Sequence, residues 1–168
     1  MVSEADLRQQ IVAVIPRMRR FARSLCGNTP DADDLVQVAL EKALTRLHQF
    51  TPGTRLDSWL MRIVQTSFLD DRRKASRREE GLDEESLSRL PEARQDDDSE
   101  RSSKVRDIDR ALLQLPEEQR VLVGLVLVEG YSYREAAEIM AVPTGTVMSR
   151  LARARKALVM HLREEGYE

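Results

Sequence analysis

Residues 132–155 read SYREAAEIMAVPTGTVMSRLARAR, and they carry the clearest local pattern in the chain. Ser132 and Glu135 form the pattern of a capping box, which favours a short helix starting here. Residues 141–143 then turn the chain, and Thr144 is expected to cap a last helix. A short helix, a tight turn and a second helix rich in cations predict a helix-turn-helix.

The second of these helices is amphipathic and cationic. At ~100° per residue, Val147, Leu151 and Leu158 share its inner side, and no acid occurs between Ile139 and Arg163. Such an outer face suits the major groove of DNA, although a solvated face with incidental arginines remains the alternative. The candidate DNA-contacting residues are Thr144, Gly145, Thr146, Met148, Ser149, Arg150, Arg153, Arg155 and Lys156.

Upstream, apolar residues recur at helical spacing. They predict a first helix in which Pro16 causes a kink or a division into two shorter helices. A second helix is predicted from residues 31–34 to about Phe50, and a third from about Asp57. In the C-terminal part, Val105, Ile108, Leu112 and Leu115 mark the buried face of one helix, and a further helix runs from Pro116 to Gly130. No repeat or strand pattern is found, so the predicted class is all-α.

Charge divides the 168 residues into domains. The net charge of −2 is the sum of +5 over residues 1–78, −8 over 79–100 and +1 over 101–168. A highly charged stretch with few apolar residues is typical of a flexible linker. We therefore predict two small helical domains, 1–78 and 105–168, joined by an acidic flexible linker at 79–104, with the helix-turn-helix in the second.

Composition also limits the function classes. One cysteine cannot form a disulfide or a thiolate metal site, and no apolar span reaches ~20 residues. We expect no secretion signal, because Arg8, Arg17 and other polar residues interrupt the apolar residues near the N-terminus. Asp70-Asp71 and Asp96–Asp98 lack an accompanying phosphate loop, histidine pair or activated nucleophile. We expect a cytoplasmic protein that is not an enzyme and uses no metal, cofactor, membrane or small-molecule substrate.

Several motifs, in this order, resemble the extracytoplasmic-function (ECF) sigma factors of bacterial RNA polymerase. They are DDLVQ at 33–37, FTPG at 50–53, LPEEQR at 115–120, GYSYREAA at 130–137 and VPTGTVMSRLARAR at 142–155. The resemblance spans about residues 7–163. It implies a promoter-specificity subunit that binds core RNA polymerase, reads the minus-35 element with its C-terminal domain and melts the minus-10 element with its N-terminal domain.

The resemblance also assigns residues in the N-terminal domain. Those implied to bind core polymerase are Asp33, Asp34, Leu35 and Gln37, although capping of the helix is the alternative for Asp31 or Asp33. Those implied to contact the minus-10 element are Thr54, Arg55, Asp57, Trp59, Arg62, Thr66, Arg72, Arg73, Lys74 and Arg77. Trp59, Phe50 and Phe68 are more often core residues than nucleotide platforms.

The sequence departs from the family pattern in places. Thr66 stands where Asn is frequent, Gln65 where a cation is, and Met148 where Lys is, so the detailed promoter preference is expected to differ. An anti-sigma factor is an expected further partner. Two other hypotheses remain: a sigma mimic that sequesters an anti-sigma factor, for which 168 residues leave no receiver domain, and a simple helix-turn-helix repressor, which leaves the N-terminal block unexplained.

Overall fold

The computed structural model describes residues 2–80, 103–164 and 166, and within these ranges it contains helices and no strand. The all-α prediction is confirmed. The α-helices are α1 (Glu4–Cys26), α2 (Thr29–Thr45), α3 (Leu56–Glu79), α4 (Ser103–Leu113), α5 (Glu117–Val123), α6 (Tyr133–Met140) and α7 (Thr144–Glu164). A 3-10 turn (Leu47–Gln49) follows α2, and a π-helical turn (Gly124–Val128) follows α5.

The first helix runs through Pro16 without a break, so of the two expected alternatives, a kink or two shorter helices, the second is wrong. Proline removes the hydrogen bond to the carbonyl four residues earlier, that of Val12. Val12 is 63% exposed, so this carbonyl lies on the solvent side of α1, while buried residues before and after the proline anchor the helix to the core. Gly27, at φ 77°, ends α1 in the left-handed conformation.

The second helix begins at Thr29, earlier than expected, and ends at Thr45 rather than Phe50. Its N-cap is Asn28, whose Oδ1 accepts the Asp31 backbone N–H at 2.9 Å. Pro30 in the first turn has no N–H that would need a partner. The Asn28 cap and Pro30 together fix the start of α2, and the acids that follow lie inside this helix.

Two predictions for the C-terminal part also need correction. Val105 and Ile108 are 39% and 49% exposed, because α4 buries only Ala111 and Leu112 near its C-terminal end. The expected α-helix from Pro116 to Gly130 changes to π-type hydrogen bonding at Gly124, whose carbonyl accepts the Glu129 N–H at 2.9 Å.

The core is continuous through both halves of the molecule. In the N-terminal half, α1, α2 and α3 pack around Phe21, Leu60 and Val64. In the C-terminal half, α5, α6 and α7 pack around Leu125 and Leu151, and α1 and α3 contact this half directly. The division at 78 and 104 stays a prediction, and most of the acidic linker, residues 81–102, lies outside the described residues.

Candidate nucleic-acid interface

The turn between α6 and α7 is fixed by local hydrogen bonds. Ser132 Oγ accepts the Glu135 N–H at 3.1 Å, and Glu135 Oε2 accepts the Ser132 N–H at 3.0 Å, which completes the predicted capping box. Ala141 ends α6 in the left-handed region at φ 55°. The Pro143 carbonyl accepts the N–H groups of Thr146 and Val147, at 3.0 and 3.3 Å, and Thr144 is the first helical residue rather than the cap. This geometry fixes the direction in which α7 leaves the turn.

The outward side of α7 forms what we call the recognition face. Its members are the predicted residues Thr144, Gly145, Thr146, Met148, Ser149, Arg150, Arg153, Arg155 and Lys156. All are exposed except Thr146 and Arg150, which are half-buried, and Met148 is 54% exposed. Val147, Leu151 and Ala154 are buried on the opposite side. The structure thus brings all nine predicted residues onto one accessible surface.

The cations of the recognition face differ in whether they contact other side chains of the protein. Arg150 lies 3.3 Å from a Glu118 carboxylate oxygen, and Arg155 donates to the Tyr133 hydroxyl at 3.2 Å. Within the described part of the chain, Arg153 and Lys156 have no ion-pair partner. These two cations are therefore the most available for phosphate groups.

A second cationic surface lies along α3. At 3.6 residues per turn, Arg62, Thr66, Arg73 and Arg77 fall within about 60° of arc, and all four are exposed. We call this set the α3 stripe. The Thr66 hydroxyl donates to the Arg62 carbonyl at 2.8 Å. Arg72 lies on another side, 3.3 Å from Glu117, while Lys74 is exposed.

Residues 50–57, the 50–57 loop, bring Thr54, Arg55 and Asp57 together before α3. The Thr54 hydroxyl donates to the Thr51 carbonyl at 2.6 Å, and Arg55 pairs with Asp57 at 2.9 Å. Burial alone raises the pKa of the Asp57 carboxyl, but hydrogen bonds from Tyr131 and Arg55 outweigh it, so the pKa lies below the ordinary 3.8. Asp57 is therefore a carboxylate at neutral pH.

The C-terminal half contacts the 50–57 loop through residues that sequence reasoning missed. The Tyr131 hydroxyl donates to Asp57 at 2.7 Å, and Glu135 accepts from Arg55 at 2.7 Å. Arg17 also donates to Asp57, at 3.1 Å. Tyr131 and Asp57 are far apart in the chain, so no local sequence signal could have paired them.

The aromatic candidates divide between the core and the surface. Phe50 and Phe68 are 8% and 5% exposed, whereas Trp59 is half-buried. The Phe50 and Trp59 rings are tilted, with centroids 5.4 Å apart. Trp59 therefore keeps an accessible edge beside the 50–57 loop, while the two phenylalanines hold the loop and α3 to the core.

The predicted polymerase-binding residues do not share one environment. Asp33, Asp34 and Gln37 are exposed on α2, and Asp33 pairs with Arg19 at 3.1 Å. Because Asn28 is the cap, Asp33 and Asp34 lie beyond the capping positions. Leu35 is 5% exposed and packs in the core, so it supports α2 from inside rather than offering a contact surface.

Two further properties concern metal ions and membranes. Among residues 2–80 and 103–164, no three His, Cys, Asp or Glu side chains come together as a possible metal site. Asp96–Asp98 lie outside the described residues. Over the same ranges, none of the helices has the length and apolar character needed to cross a membrane.

Family models match both halves of the chain. The model for Sigma-70 region 2 covers residues 11–78, and the model for Sigma-70 region 4 covers residues 106–158. The first match includes α2, the 50–57 loop and the α3 stripe. The second includes the helix-turn-helix and the recognition face. Together they define the class of protein: a sigma-70 type transcription factor.

Individual relatives narrow the assignment. The ECF RNA polymerase sigma factor EcfG of Rhodopseudomonas palustris is 38% identical over 163 residues, which are 97% of this chain and 88% of that protein. SigM, an ECF sigma factor of Mycobacterium tuberculosis, is 36% identical over 148 residues, 84% of this chain and 69% of that one. The chain therefore belongs to the ECF RNA polymerase sigma factors, as its motifs indicated.

A solved structure supports the same assignment. The sigma factor RpoE of Bartonella quintana, co-crystallised with the anti-sigma factor NepR, matches with a TM-score of 0.73 at 34% identity. The match covers 94% of this chain and 97% of that one. The likeness therefore includes both sigma regions rather than the helix-turn-helix alone.

Proposed function

We propose that this ECF sigma factor binds core RNA polymerase and directs promoter-specific initiation, with the recognition face reading the minus-35 element. The observation that carries the proposal is the recognition face itself, which is exposed, free of acids and set at a fixed angle by the turn after α6. Arg153 and Lys156 supply phosphate contacts, while Met148 and Ser149, nearer the start of α7, face the base edges.

Region 2 is proposed to melt and hold the minus-10 element. The α3 stripe offers three arginines along one line, which suits the backbone of a separated strand. Thr54, Arg55, Asp57 and the accessible edge of Trp59 provide polar and stacking groups for an unpaired base at the end of that line. Phosphate contacts provide affinity for DNA, and contacts from the loop provide specificity for the base sequence of the minus-10 element.

Core polymerase is proposed to dock on the exposed side of α2. Asp33, Asp34 and Gln37 lie there without a capping role, and a pair of acids suits a basic partner surface. Regulation by an anti-sigma factor follows from the likeness to the RpoE–NepR complex. We place this function in the cytoplasm, with promoter selection rather than catalysis as the role of the chain.

The proposal is tested by transcription in vitro with core polymerase from the source organism on a promoter library. The expected result is initiation from a subset of promoters that share a minus-35 and a minus-10 sequence. The absence of any promoter-specific initiation, with core binding intact, would favour the sigma-mimic alternative. Repressor-like binding without core association would favour the simple helix-turn-helix alternative.

A further inference from the structure

Arg150 is the half-buried cation of the recognition face, and it contacts an acid from another helix. Its side chain is 25% exposed, and its guanidinium lies 3.3 Å from a carboxylate oxygen of Glu118, in the first turn of α5. The two helices pack against each other, with Val121 and Leu122 of α5 fully buried. The core therefore fixes the position from which Glu118 reaches Arg150.

Arg150 lies on one edge of the recognition face. At ~100° per residue, Thr146, Arg150 and Arg153 fall within about 60° of one another, so they form a row along α7. When a recognition helix lies in the major groove, its middle faces the base edges and its flanks face the DNA backbones. The row that contains Arg150 is therefore placed to face the phosphates of one strand.

Glu118 is an acid beside this row. Its side chain is 54% exposed, and a carboxylate so close to a row of phosphates repels any duplex. The ion pair adds little to folding, because a pair this accessible to water gains little net free energy. The dipole of α5 does not require Glu118 either, since Glu117 already places an acid in the same turn. The remaining effect of Glu118 is on the direction of the Arg150 side chain.

Holding an arginine in one direction changes how it meets DNA. A free arginine side chain is ordered only when it binds, and it can reach more than one phosphate. A guanidinium has five N–H donors, so one that faces a carboxylate on one side keeps donors for a phosphate on another. A carboxylate beside Arg150 thus limits the phosphates that this side chain can contact.

We propose that Glu118 is a positioning residue for minus-35 recognition, which holds Arg150 towards one defined phosphate and so sets the register of α7 in the major groove. This inference rests on the proposed function, because it treats the recognition face as a DNA surface. Phosphate contacts fix the register of a protein on the duplex, and the register decides which base pair each side chain meets. Glu118 therefore lowers the affinity for any duplex and increases the discrimination between duplexes.

The test compares holoenzymes assembled from core polymerase and the wild-type chain, Glu118→Gln or Glu117→Gln. Glutamine keeps the size of the side chain and removes its charge. Glu117→Gln is the matched control, because it makes the same change in the same turn, while Glu117 lies 3.3 Å from Arg72 of α3 rather than beside the recognition face. Each holoenzyme is titrated by fluorescence anisotropy against two labelled promoters: one selected by wild type, and the same promoter with one minus-35 base pair replaced.

The quantity compared is the discrimination ratio, which is the affinity for the selected promoter divided by that for the altered one. Glu118→Gln is expected to lower this ratio by about fivefold and to raise the affinity for the altered promoter, because the released Arg150 reaches other phosphates. Glu117→Gln is expected to keep the wild-type ratio, since any effect through Arg72 is the same on both promoters. A ratio for Glu118→Gln within about twofold of wild type would overturn the positioning role.

The double variant Glu118→Gln with Arg150→Gln shows whether Glu118 acts through Arg150. Once Arg150→Gln has removed the guanidinium, Glu118→Gln is expected to leave the ratio unchanged. A further fall in the ratio would overturn the positioning role, because Glu118 would then act through another group. Urea unfolding of each free chain separates this role from a structural one, which would shift the midpoint and weaken binding to both promoters alike.

Failure of the positioning role is distinguishable from failure of the proposed function. A wild-type holoenzyme that discriminates, together with an unchanged ratio for Glu118→Gln, would refute the positioning role and leave the proposed function in place. A wild-type holoenzyme that binds both promoters equally would refute minus-35 reading by the recognition face, and the positioning role with it.

Discussion

Replacing Arg120 removes the group that joins three chain segments where the two halves of the chain meet. Arg120 is 4% exposed, and its guanidinium donates to the carbonyls of Leu112, Leu113 and Leu115 and to that of Leu25, at 2.9 to 3.0 Å. These carbonyls lie at or just beyond the C-terminal ends of α4 and α1, where no intrahelical donor remains. One planar cation thus satisfies four acceptors.

Arg120→Met keeps an unbranched apolar stem and deletes all the donors. The Leu112 carbonyl keeps a second donor, the Leu115 N–H at 3.1 Å. Each buried carbonyl left unsatisfied costs ~1–3 kcal/mol, so the other three give an upper bound of about 3–9 kcal/mol. Leu113 is 43% exposed, so water reaches part of this cluster and lowers the cost. We expect a loss of about 3–5 kcal/mol in the free energy of unfolding, or roughly 6–20 °C in Tm for a chain of this size.

The assay is urea unfolding followed by circular dichroism at 222 nm. Arg120→Lys is expected to lose about half as much as Arg120→Met, because an ammonium has three donors and cannot span all four carbonyls. Arg106→Met, at an exposed position on α4, is the control and should leave the midpoint unchanged. A loss below about 1 kcal/mol for Arg120→Met would refute the role of the four hydrogen bonds.

Three further predictions address the proposed surfaces. Asp34→Lys should weaken core polymerase binding by about tenfold, or ~1.4 kcal/mol, in a pull-down titration, whereas Glu4→Lys, at an exposed acid on α1, should not; equal effects would refute a local docking patch. Met148→Lys should steepen the salt dependence of minus-35 binding by about one unit of slope and reduce thymine preference, and an unchanged slope would remove Met148 from the DNA contact. Burial, with the hydrogen bond to Asp57, raises the pKa of Tyr131. The stabilisation that Tyr131 gives to the contact between the two halves of the chain is therefore complete below about pH 10 and is lost as pH rises through the raised pKa. Absorbance at 295 nm should show a late tyrosinate phase, and Tyr131→Phe should delete it.

Local patterns in the sequence account for much of this fold. The Ser132–Glu135 capping box and Gly27 act through backbone groups a few residues away, so a single sequence suffices to find them. The recognition face was predictable for a similar reason, because the inward periodicity of Val147 and Leu151 leaves the remaining positions outside.

Features that depend on competition between several possible helix caps, or on contacts between residues far apart in the chain, were not predictable. Asn28 and the acids after it are all good caps, and the choice depends on Pro30 fitting the first turn. The π-helical turn at Gly124 has no local signature, because it depends on the approach of α1. Glu129 resembles any surface acid in the sequence, and its burial depends on arginines more than 100 residues away.

In the proposed function the recognition face reads DNA while core polymerase binds elsewhere. Its most direct test is the double variant Arg153→Glu and Lys156→Glu, measured on a promoter selected by the wild-type holoenzyme. The matched control is Lys104→Glu with Arg106→Glu, which makes the same charge change at exposed positions on α4. The double variant is expected to lose minus-35 binding and transcription while it still associates with core polymerase, and the control is expected to match wild type. Retained minus-35 binding, or loss of core association instead, would contradict it.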